Sequence, residues 1–447
     1  MTLIATDNKS IVVGLGITGL SCVRYLLAQG KHVTVVDSRN TPPGMAECKA
    51  EFPQVEIHCG EFDAALLCSA TQLVVSPGVS VMEPAIKEAR RRGVKITGDV
   101  ELFSHAANAP IIAITGSNGK STVTTLLAEM AEQSGMNIAV GGNLGIPVLD
   151  LLGSDIELYI IELSSFQLET TQRLGAWAAT VLNISEDHMD RYPSKLTYLQ
   201  AKQKIFRGCR YVIVNDDDIL SEPLMVEGME PIHFGIGKPN LRKFSTTNDG
   251  AEIKICFGFD TLISTSEIKI KGVHNISNAL AALALGTAAG IDMNSMLATL
   301  KTYSGLKHRC EWVRSVDGVN YINDSKGTNV GATATAIESF GLSGNGKVIL
   351  IAGGEGKGAD FTPLTSVLSN FARSAILFGR DAEKIESDLN NIVDIKRAST
   401  LEEAVSVAKS LAEPGDTVLM SPACASFDMF SNFEKRGDAF IDVVGGL

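Results

Sequence analysis

Residues 111–122 read IIAITGSNGKST, and this stretch decides the fold. Its apolar run, Ile111-Ile112-Ala113-Ile114, has the unbroken hydrophobicity of a strand buried in a parallel sheet. The run breaks into Thr115-Gly116-Ser117-Asn118-Gly119-Lys120, and Ser121-Thr122 open a helix whose residues Val123, Leu126, Leu127 and Met130 recur at helical spacing. A strand, a Gly-containing turn and a helix N-terminus together make an anion site. Backbone N–H groups converge there, the helix dipole favours negative charge, and Lys120 adds a cation. Ser121 or Thr122 stands where a hydroxyl can reach the Mg2+ that accompanies a nucleoside triphosphate. The usual spacing, G-x-x-x-x-G-K-[ST], is not fully met, because Ile114 occupies its first Gly position. An ordinary strand-to-helix turn with a Lys at its edge is the plainer alternative; the Gly-Lys-Ser-Thr run favours phosphate binding.

Upstream, residues 10–37 form a strand–turn–helix–strand pattern with Gly14-Leu15-Gly16-Ile17-Thr18-Gly19 at the turn and Asp37 closing the second strand. This is the dinucleotide fingerprint, G-x-G-x-x-G with a downstream acid. It points to a Rossmann-like unit more firmly than to any ligand: NAD is one candidate, and any nucleotide diphosphate could rest on the same helix N-terminus. A strand over 72–76 leads into Pro77-Gly78, a further turn at the ligand-binding edge. The pattern loosens over 98–110, which places the first domain boundary near residue 100.

Downstream, 137–140 reads as a short strand followed by GGNLGIP, too rich in glycine for regular structure. The apolar strand 158–161 ends in Glu162, at the usual place of a second Mg2+ ligand, although Glu162 could instead cap the helix that follows. A strand over 178–184 runs into Ser185-Glu186-Asp187-His188-Met189-Asp190-Arg191-Tyr192-Pro193, where His188 among acids modestly favours a metal or phosphate role. Residues 198–206 read as a helix carrying Ala201-Lys202; by composition alone Lys202 is a solvated lysine. Residues 232–270 alternate as irregular strands, and GVHNISN (272–278) opens an Ala/Leu-rich helix ending at Gly290, with Asn275 and Asn278 as capping candidates. A second boundary falls at 303–307. Strands over 319–323, 347–352, 375–378 and 417–421 then define a third α/β domain. Cys424 reads as a small buried thiol, with no His near it in sequence.

A length of 447 residues suits three domains of ~150 residues each. The net charge of −12 argues against nucleic acid as a partner, and the basic run Arg90-Arg91-Arg92 reads as a solvated helix end. Eight cysteines without a CxxC pair imply reduced thiols and no zinc site. No run approaches the ~18 apolar residues of a membrane span, and the opening MTLIATDNKSIVVG lacks a signal-peptide pattern, so a cytoplasmic protein is expected.

TGSNGKST, GGNLGIP, IIELSSFQLE and NISEDHMDRYP, in this order, resemble the Mur ligases of peptidoglycan synthesis, and within them the branch that adds D-glutamate. The resemblance covers nearly the whole chain. It implies an α/β fold of three domains: an N-terminal Rossmann-like domain (1–100) for a UDP-linked substrate, a central P-loop ATPase-like parallel sheet (101–305), and a C-terminal Rossmann-like domain (306–447) for the amino acid. The implied reaction is ATP-dependent, Mg2+-dependent amide ligation of D-glutamate to UDP-N-acetylmuramoyl-L-alanine through an acyl phosphate, by a monomer. Implied ATP contacts are Gly116, Ser117, Asn118, Gly119, Lys120, Ser121, Thr122, Asn275, Asn278, Arg309 and Asp324. The uridine substrate falls to Ile17, Thr18, Asp37, Ser38, Arg39, Gly78 and Asn143, and D-glutamate to Thr328, Lys357, Ser426 and Phe433. Catalysis and metal binding rest on Lys120, Ser121, Glu162, His188 and Lys202, the last as a CO2-derived carbamate; Lys204 is the less favoured alternative. Another Mur-type or a folylpolyglutamate-type ligase, a nicotinamide oxidoreductase and a P-loop regulatory module are the competing readings.

Overall fold

The computed structural model describes residues 9–185, 187–189, 191–248, 250, 252–270, 272–343, 346–389 and 392–447. Glu186 and Asp190, part of the His188 motif, lie outside the described residues. Three sheets carry the architecture. The first holds β1 (Lys9–Val13), β2 (His32–Asp37), β3 (Glu56–Cys59), β4 (Gln72–Val75) and β5 (Lys95–Thr97), all parallel, in the order β3-β2-β1-β4-β5. The strand order reverses between β1 and β4, so a crevice opens beyond their carboxyl ends, the switch point where such sheets bind ligands.

The second sheet comprises β6 (Ile111–Thr115), β7 (Ile138–Gly142), β8 (Leu158–Glu162), β9 (Ala178–Val181), β10 (Tyr211–Asn215), β11 (Glu230–Phe234), β12 (Lys243–Asn248), β13 (Ile253–Phe257) and β14 (Asp260–Ser264). Their order is β14-β13-β12-β11-β10-β9-β6-β8-β7, parallel except for the antiparallel β12-β13-β14 edge. β6 is an interior strand, third from the β7 edge, and fully buried, which is why its sequence is a continuous apolar run. The third sheet holds β15 (Glu311–Val316), β16 (Val319–Asn323), β17 (Val348–Gly353), β18 (Ala372–Phe378), β19 (Asp394–Arg397) and β20 (Thr417–Met420) in the order β15-β16-β20-β17-β18-β19. Only the β15–β16 pair is antiparallel.

The chain forms two compact units. The first two sheets belong to one, with Leu280–Thr299; the third sheet belongs to the other, with Thr265–Ala279 and Ser185–Asp187. Within the first unit the two sheets are joined by side chains: Ser21 Oγ donates to Asp150 at 2.6 Å, and Gln167 Nε2 donates to Asp99 at 3.1 Å.

Two local expectations are corrected. Residues 98–110 are not loosened throughout: Asp99–Ala106 is a helix that buries Val100 and Phe103, the latter edge-on to Tyr159 with ring centroids 5.1 Å apart. Nor does Gly141-Gly142 break the strand, for β7 runs through Gly142. A Cβ at Gly141 would lie 2.3 Å from the Ile146 carbonyl oxygen and one at Gly142 would lie 2.3 Å from that of Glu162, so these glycines permit close backbone approach inside the sheet.

Candidate active site

At the switch point of the first sheet, Gly14 adopts φ +94° and Ser76, just past β4, donates its hydroxyl to the Gly14 carbonyl at 2.9 Å. A Cβ at Gly19 would lie 1.9 Å from the Gly14 oxygen, so only glycine lets helix Ile17–Ala28 pack this closely on the turn. Asp37 is buried at the end of β2, where its oxygens accept the Leu15 N–H at 2.7 Å and three Arg39 donors at 2.6–2.9 Å. Burial pushes this carboxyl up, but the Arg39 guanidinium and the Leu15 and Arg39 N–H groups outweigh it and hold it below the ordinary carboxylate range. Asp37 therefore shapes the turn and anchors Arg39, whose side chain stays half exposed. Ile17 is 69% exposed although apolar; it opens the helix after β1 with Thr18, while Ser38 follows β2 and Gly78 lies three residues past β4, each after the carboxyl end of a neighbouring parallel strand.

In the central sheet, β6 lies between β8 and β9 with Ile114 opposite Glu162 and Thr115 opposite Val181. Parallel pairing thus delivers three strand ends to one place. Gly116 adopts φ +156°, and a Cβ there would lie 2.9 Å from that of Leu182; Gly119, at +83°, ends the turn before helix Lys120–Gln133. Asn183 clamps the loop from the β9 side: its carbonyl accepts the Ser117 N–H at 2.9 Å, its Oδ1 accepts the Asn118 N–H at 2.8 Å, and its Nδ2 donates to the Asn118 carbonyl at 3.1 Å. Sequence reading gave Asn183 no role, though a side-chain amide just past a strand end is a usable signal. Ser121 and Thr122 are buried in the first turn of helix Lys120–Gln133, at the positive end of its dipole.

Lys120 Nζ donates to the carbonyls of Gly116 and Ser117, both at 2.8 Å. Lys202, from helix Lys195–Gln203, reaches the same Gly116 carbonyl at 2.8 Å and Thr115 Oγ1 at 3.2 Å. Far from being a solvated lysine, Lys202 is only 1% exposed. Lys204 faces elsewhere and donates to the Glu169 carbonyl at 2.7 Å.

Glu162 is also buried. One oxygen, Oε1, accepts Asn143 Nδ2 at 2.6 Å, while Oε2 has no hydrogen-bond partner among the described residues. The capping alternative fails, because helix Ser165–Glu169 is capped by Ser164 in a reciprocal box with Gln167. His188 adopts φ +57° and its ring lies 4.8 Å from that of Phe166.

The second unit holds the remaining candidates. Asn275 and Asn278 sit in the first turns of helix Val273–Ala289, joined by a 3.2 Å side-chain bond, and neither is the residue preceding the helix. Asp324, one residue beyond β16, accepts Ser421 Oγ at 2.6 Å and the Cys310 N–H at 3.2 Å; burial pushes its carboxyl up to about 6. Arg309 donates its N–H to the Leu306 carbonyl at 3.3 Å. Thr328 follows in the same post-β16 loop, and Phe433 opens helix Phe433–Gly445 with its ring 3.9 Å from Lys326 Nζ. Ser325 Oγ donates to the Phe433 carbonyl at 2.8 Å. Ser426 is buried after β20, and Cys424 is a buried thiol whose pKa burial pushes up to about 12. Arg436, absent from the sequence reading, ties these loops by donating to Ser325 Oγ and carbonyl (3.0 and 2.9 Å) and to the Cys424 carbonyl (3.1 Å). Lys357 stands apart, exposed at φ +51°, and no hydrogen bond joins it to Thr328, Ser426 or Phe433 among the described residues.

Comparison with known proteins matches residues 8–98 to the Mur ligase MurD-like N-terminal domain, 114–286 to the Mur ligase middle domain, and 308–424 to the Mur ligase glutamate ligase domain. The chain belongs to the Mur ligase family. Curated relatives named UDP-N-acetylmuramoylalanine--D-glutamate ligase include those of Marinobacter nauticus, 56% identical, and Pseudomonas aeruginosa, 54% identical, each alignment covering 100% of both chains. Among solved structures, MurF from Acinetobacter baumannii superposes with a TM-score of 0.62 at 16% identity, covering 99% of this chain and 93% of that one. A pseudomurein peptide ligase type C from Methanothermus fervidus gives 0.60 at 18% identity, covering 98% and 100%. These distant neighbours share the fold.

For a Mur ligase the buried, unpartnered Glu162 Oε2 is informative. An unpaired carboxylate oxygen in a dry site is costly, and a hard divalent cation bound by oxygen ligands relieves that cost. The donor set beside the loop, with the Ser121 hydroxyl at a helix start and Glu162 at the adjacent strand end, fits Mg2+ accompanying a nucleoside triphosphate.

Proposed function

We propose that this chain joins the amino group of D-glutamate to the lactyl-alanyl carboxylate of UDP-N-acetylmuramoyl-L-alanine, with ATP converted to ADP and phosphate. The observation that carries this reading is full-length identity above half to relatives named for that reaction. A carboxylate does not lose oxide to an amine at neutral pH, so the acid needs a leaving group. Its oxygen attacks the γ-phosphorus to give an acyl phosphate; the amine then adds to the acyl carbon, loses a proton and expels inorganic phosphate. Phosphoryl transfer depends on position and charge neutralisation. Lys120 and the N–H groups opening helix Lys120–Gln133 hold the triphosphate, with Gly116 to Thr122 as the cradle. Ser121, Glu162, His188 and Lys202 hold Mg2+, which when bound neutralises charge on the transferred group. Lys202 serves as its carbamate: the neutral Nζ adds to the carbon of CO2 and gives up one proton, which turns a cation into a carboxylate-like ligand.

Ile17, Thr18, Asp37, Ser38, Arg39, Gly78 and Asn143 serve the uridine substrate, Asp37 by fixing Arg39. Asn275, Asn278, Arg309 and Asp324 serve ATP, and Thr328, Lys357, Ser426 and Phe433 take D-glutamate. The division into 1–100, 101–305 and 306–447 gives one reactant to each domain. A cytoplasmic monomer fits this reading, and no helix among the described residues is long and apolar enough to cross a membrane. The test is ADP release by the purified chain with UDP-N-acetylmuramoyl-L-alanine across a series of amino acids. Release that requires D-glutamate is expected; release indifferent to the amino acid overturns the proposal.

A further inference from the structure

Arg191, three residues past His188, does more than solvate the loop it sits in. Its Nη1 donates to the Pro77 carbonyl and its Nη2 to the Val79 carbonyl, each at 3.2 Å. Nη2 also donates to Glu169 Oε2 at 2.6 Å, and both side chains of that ion pair are nearly buried. The guanidinium carbon lies 4.4 Å from the centre of the Phe166 ring, and that ring in turn lies 4.8 Å from the ring of His188. The Arg191 N–H closes the local turn on the His188 carbonyl at 3.0 Å. One planar cation therefore grips both carbonyls that flank Gly78, at the rim of the first sheet's crevice, while bracing the ring against which His188 packs. Five donors in a rigid fork suit this geometry; a lysine ammonium could not satisfy three divergent acceptors and stack on an aromatic face together.

We propose that Arg191 is a positioning residue that couples occupancy of the uridine-nucleotide crevice to the placement of the His188 ring against Phe166. The coupling rests on the function proposed above, which supplies the nucleotide at Gly78 and the metal at His188. Its chain is physical and short: Gly78 turn, guanidinium, Phe166 ring, imidazole. A nucleotide that orders the 77–79 turn fixes the two carbonyls, and through them the plane of the guanidinium and of Phe166. Loss of the fork separates the two sites while leaving the phosphate loop, held by Asn183, in place.

The experiment compares wild type with Arg191→Ala and Arg191→Lys. Calorimetry without Mg2+ gives the affinity for UDP-N-acetylmuramoyl-L-alanine, and the ADP-release assay gives the half-saturating Mg2+ concentration and the KM for D-glutamate. Arg191→Ala is expected to weaken nucleotide binding about tenfold and to raise the Mg2+ requirement by a similar factor. The KM for D-glutamate should stay unchanged, and guanidinium ion in solution should restore part of both losses. Arg191→Lys, which keeps the charge, should recover less than half of the lost affinity. The proposal is overturned if only one of the two constants moves, if neither does, or if all three change together with a lowered melting temperature and no guanidinium rescue. Wild type that binds the nucleotide yet shows no D-glutamate-dependent ADP release defeats the function and the coupling to His188 together; wild type with full turnover and an indifferent Arg191→Ala defeats the coupling alone.

Discussion

Replacing Asp324 with Asn tests whether burial governs the centre of the second unit. In the fold this carboxyl titrates at about 6, against 3.8 for the free group, because it lies in the interior with Ser421 Oγ and the Cys310 N–H as its hydrogen-bond donors. The difference is roughly two units, and at about 1.4 kcal/mol per unit the ionised form costs the fold about 3 kcal/mol. The sign follows from proton counting. Between pH 4 and 6 the folded protein holds the Asp324 proton more tightly than the unfolded chain does, so stability falls as the pH rises through this window and levels off above it. Asn keeps the shape, accepts from Cys310 through Oδ1, and can offer Nδ2 to Ser421 Oγ, which turns its own proton to Thr333 Oγ1 at 3.0 Å. Asp324→Asn should therefore raise the stability of this unit at pH 7 by up to about 3 kcal/mol and flatten its dependence between pH 4 and 6. The assay is urea unfolding followed by fluorescence in a Trp177→Phe background, which leaves Trp312, on β15, as the reporter. If Asp324→Asn is no more stable at pH 7 and keeps the wild-type slope from pH 4 to 6, burial is not what sets the state of Asp324. A fall in ADP release in the stabilised variant would separate its part in the ATP site from its part in the fold.

Other tests address the first unit. Lys202→Ala should lose most activity while its unfolding midpoint stays near wild type, with partial recovery on adding short carboxylic acids; unchanged turnover would remove the carbamate from the mechanism. Glu162→Gln should raise the half-saturating Mg2+ concentration about tenfold or more in a metal titration of ADP release, and an unaltered titration would mean that Oε2 faces no cation. Gly19→Ala forces a Cβ against the Gly14 carbonyl and should destabilise by about 3 kcal/mol in urea unfolding. Gly16→Ala meets nothing within 4 Å, so it should unfold like wild type yet bind the uridine nucleotide more weakly by calorimetry. Equal effects of the two glycine variants on stability would refute the packing argument.

Legibility in the sequence followed how local the determining physics is. β1 and β6 could be read because strands buried on both faces must be continuously apolar, and their glycine turns because a left-handed backbone beside a phosphate leaves few alternatives. Helix Asp99–Ala106 escaped the reading because it is short and its few apolar residues face a partner, Tyr159, that periodicity cannot reveal. Lys202 reads as a solvated lysine for the same reason. Its acceptors, Thr115 and Gly116, lie 87 and 86 residues away, and only the closing of the sheet shows that its helix points there. Arg191 and Asn183 fall inside a motif quoted from the sequence, yet their partners at Pro77, Val79 and Asn118 are equally remote.

The parallel sheet itself explains why so many remote residues meet. Strands that run the same way end on the same side, so β6, β8 and β9 bring Gly116, Glu162 and Asn183 together without any of these residues being near another in sequence. An antiparallel β8 would send Glu162 to the opposite edge and leave Lys120 facing an apolar strand start. The arrangement also concentrates unfavourable groups: two lysines share one carbonyl, a carboxylate oxygen is buried without a partner among the described residues, and His188 holds a left-handed backbone. Each is tolerated because β6 and its neighbours are packed well enough to hold it. A divalent cation with a polyanion would offset the first two at once, so nucleotide with Mg2+ should stabilise the first unit more than the sum of either alone. Additive shifts in its unfolding midpoint, measured with ATP analogue, Mg2+ and both, would show that these groups do not answer to one bound species.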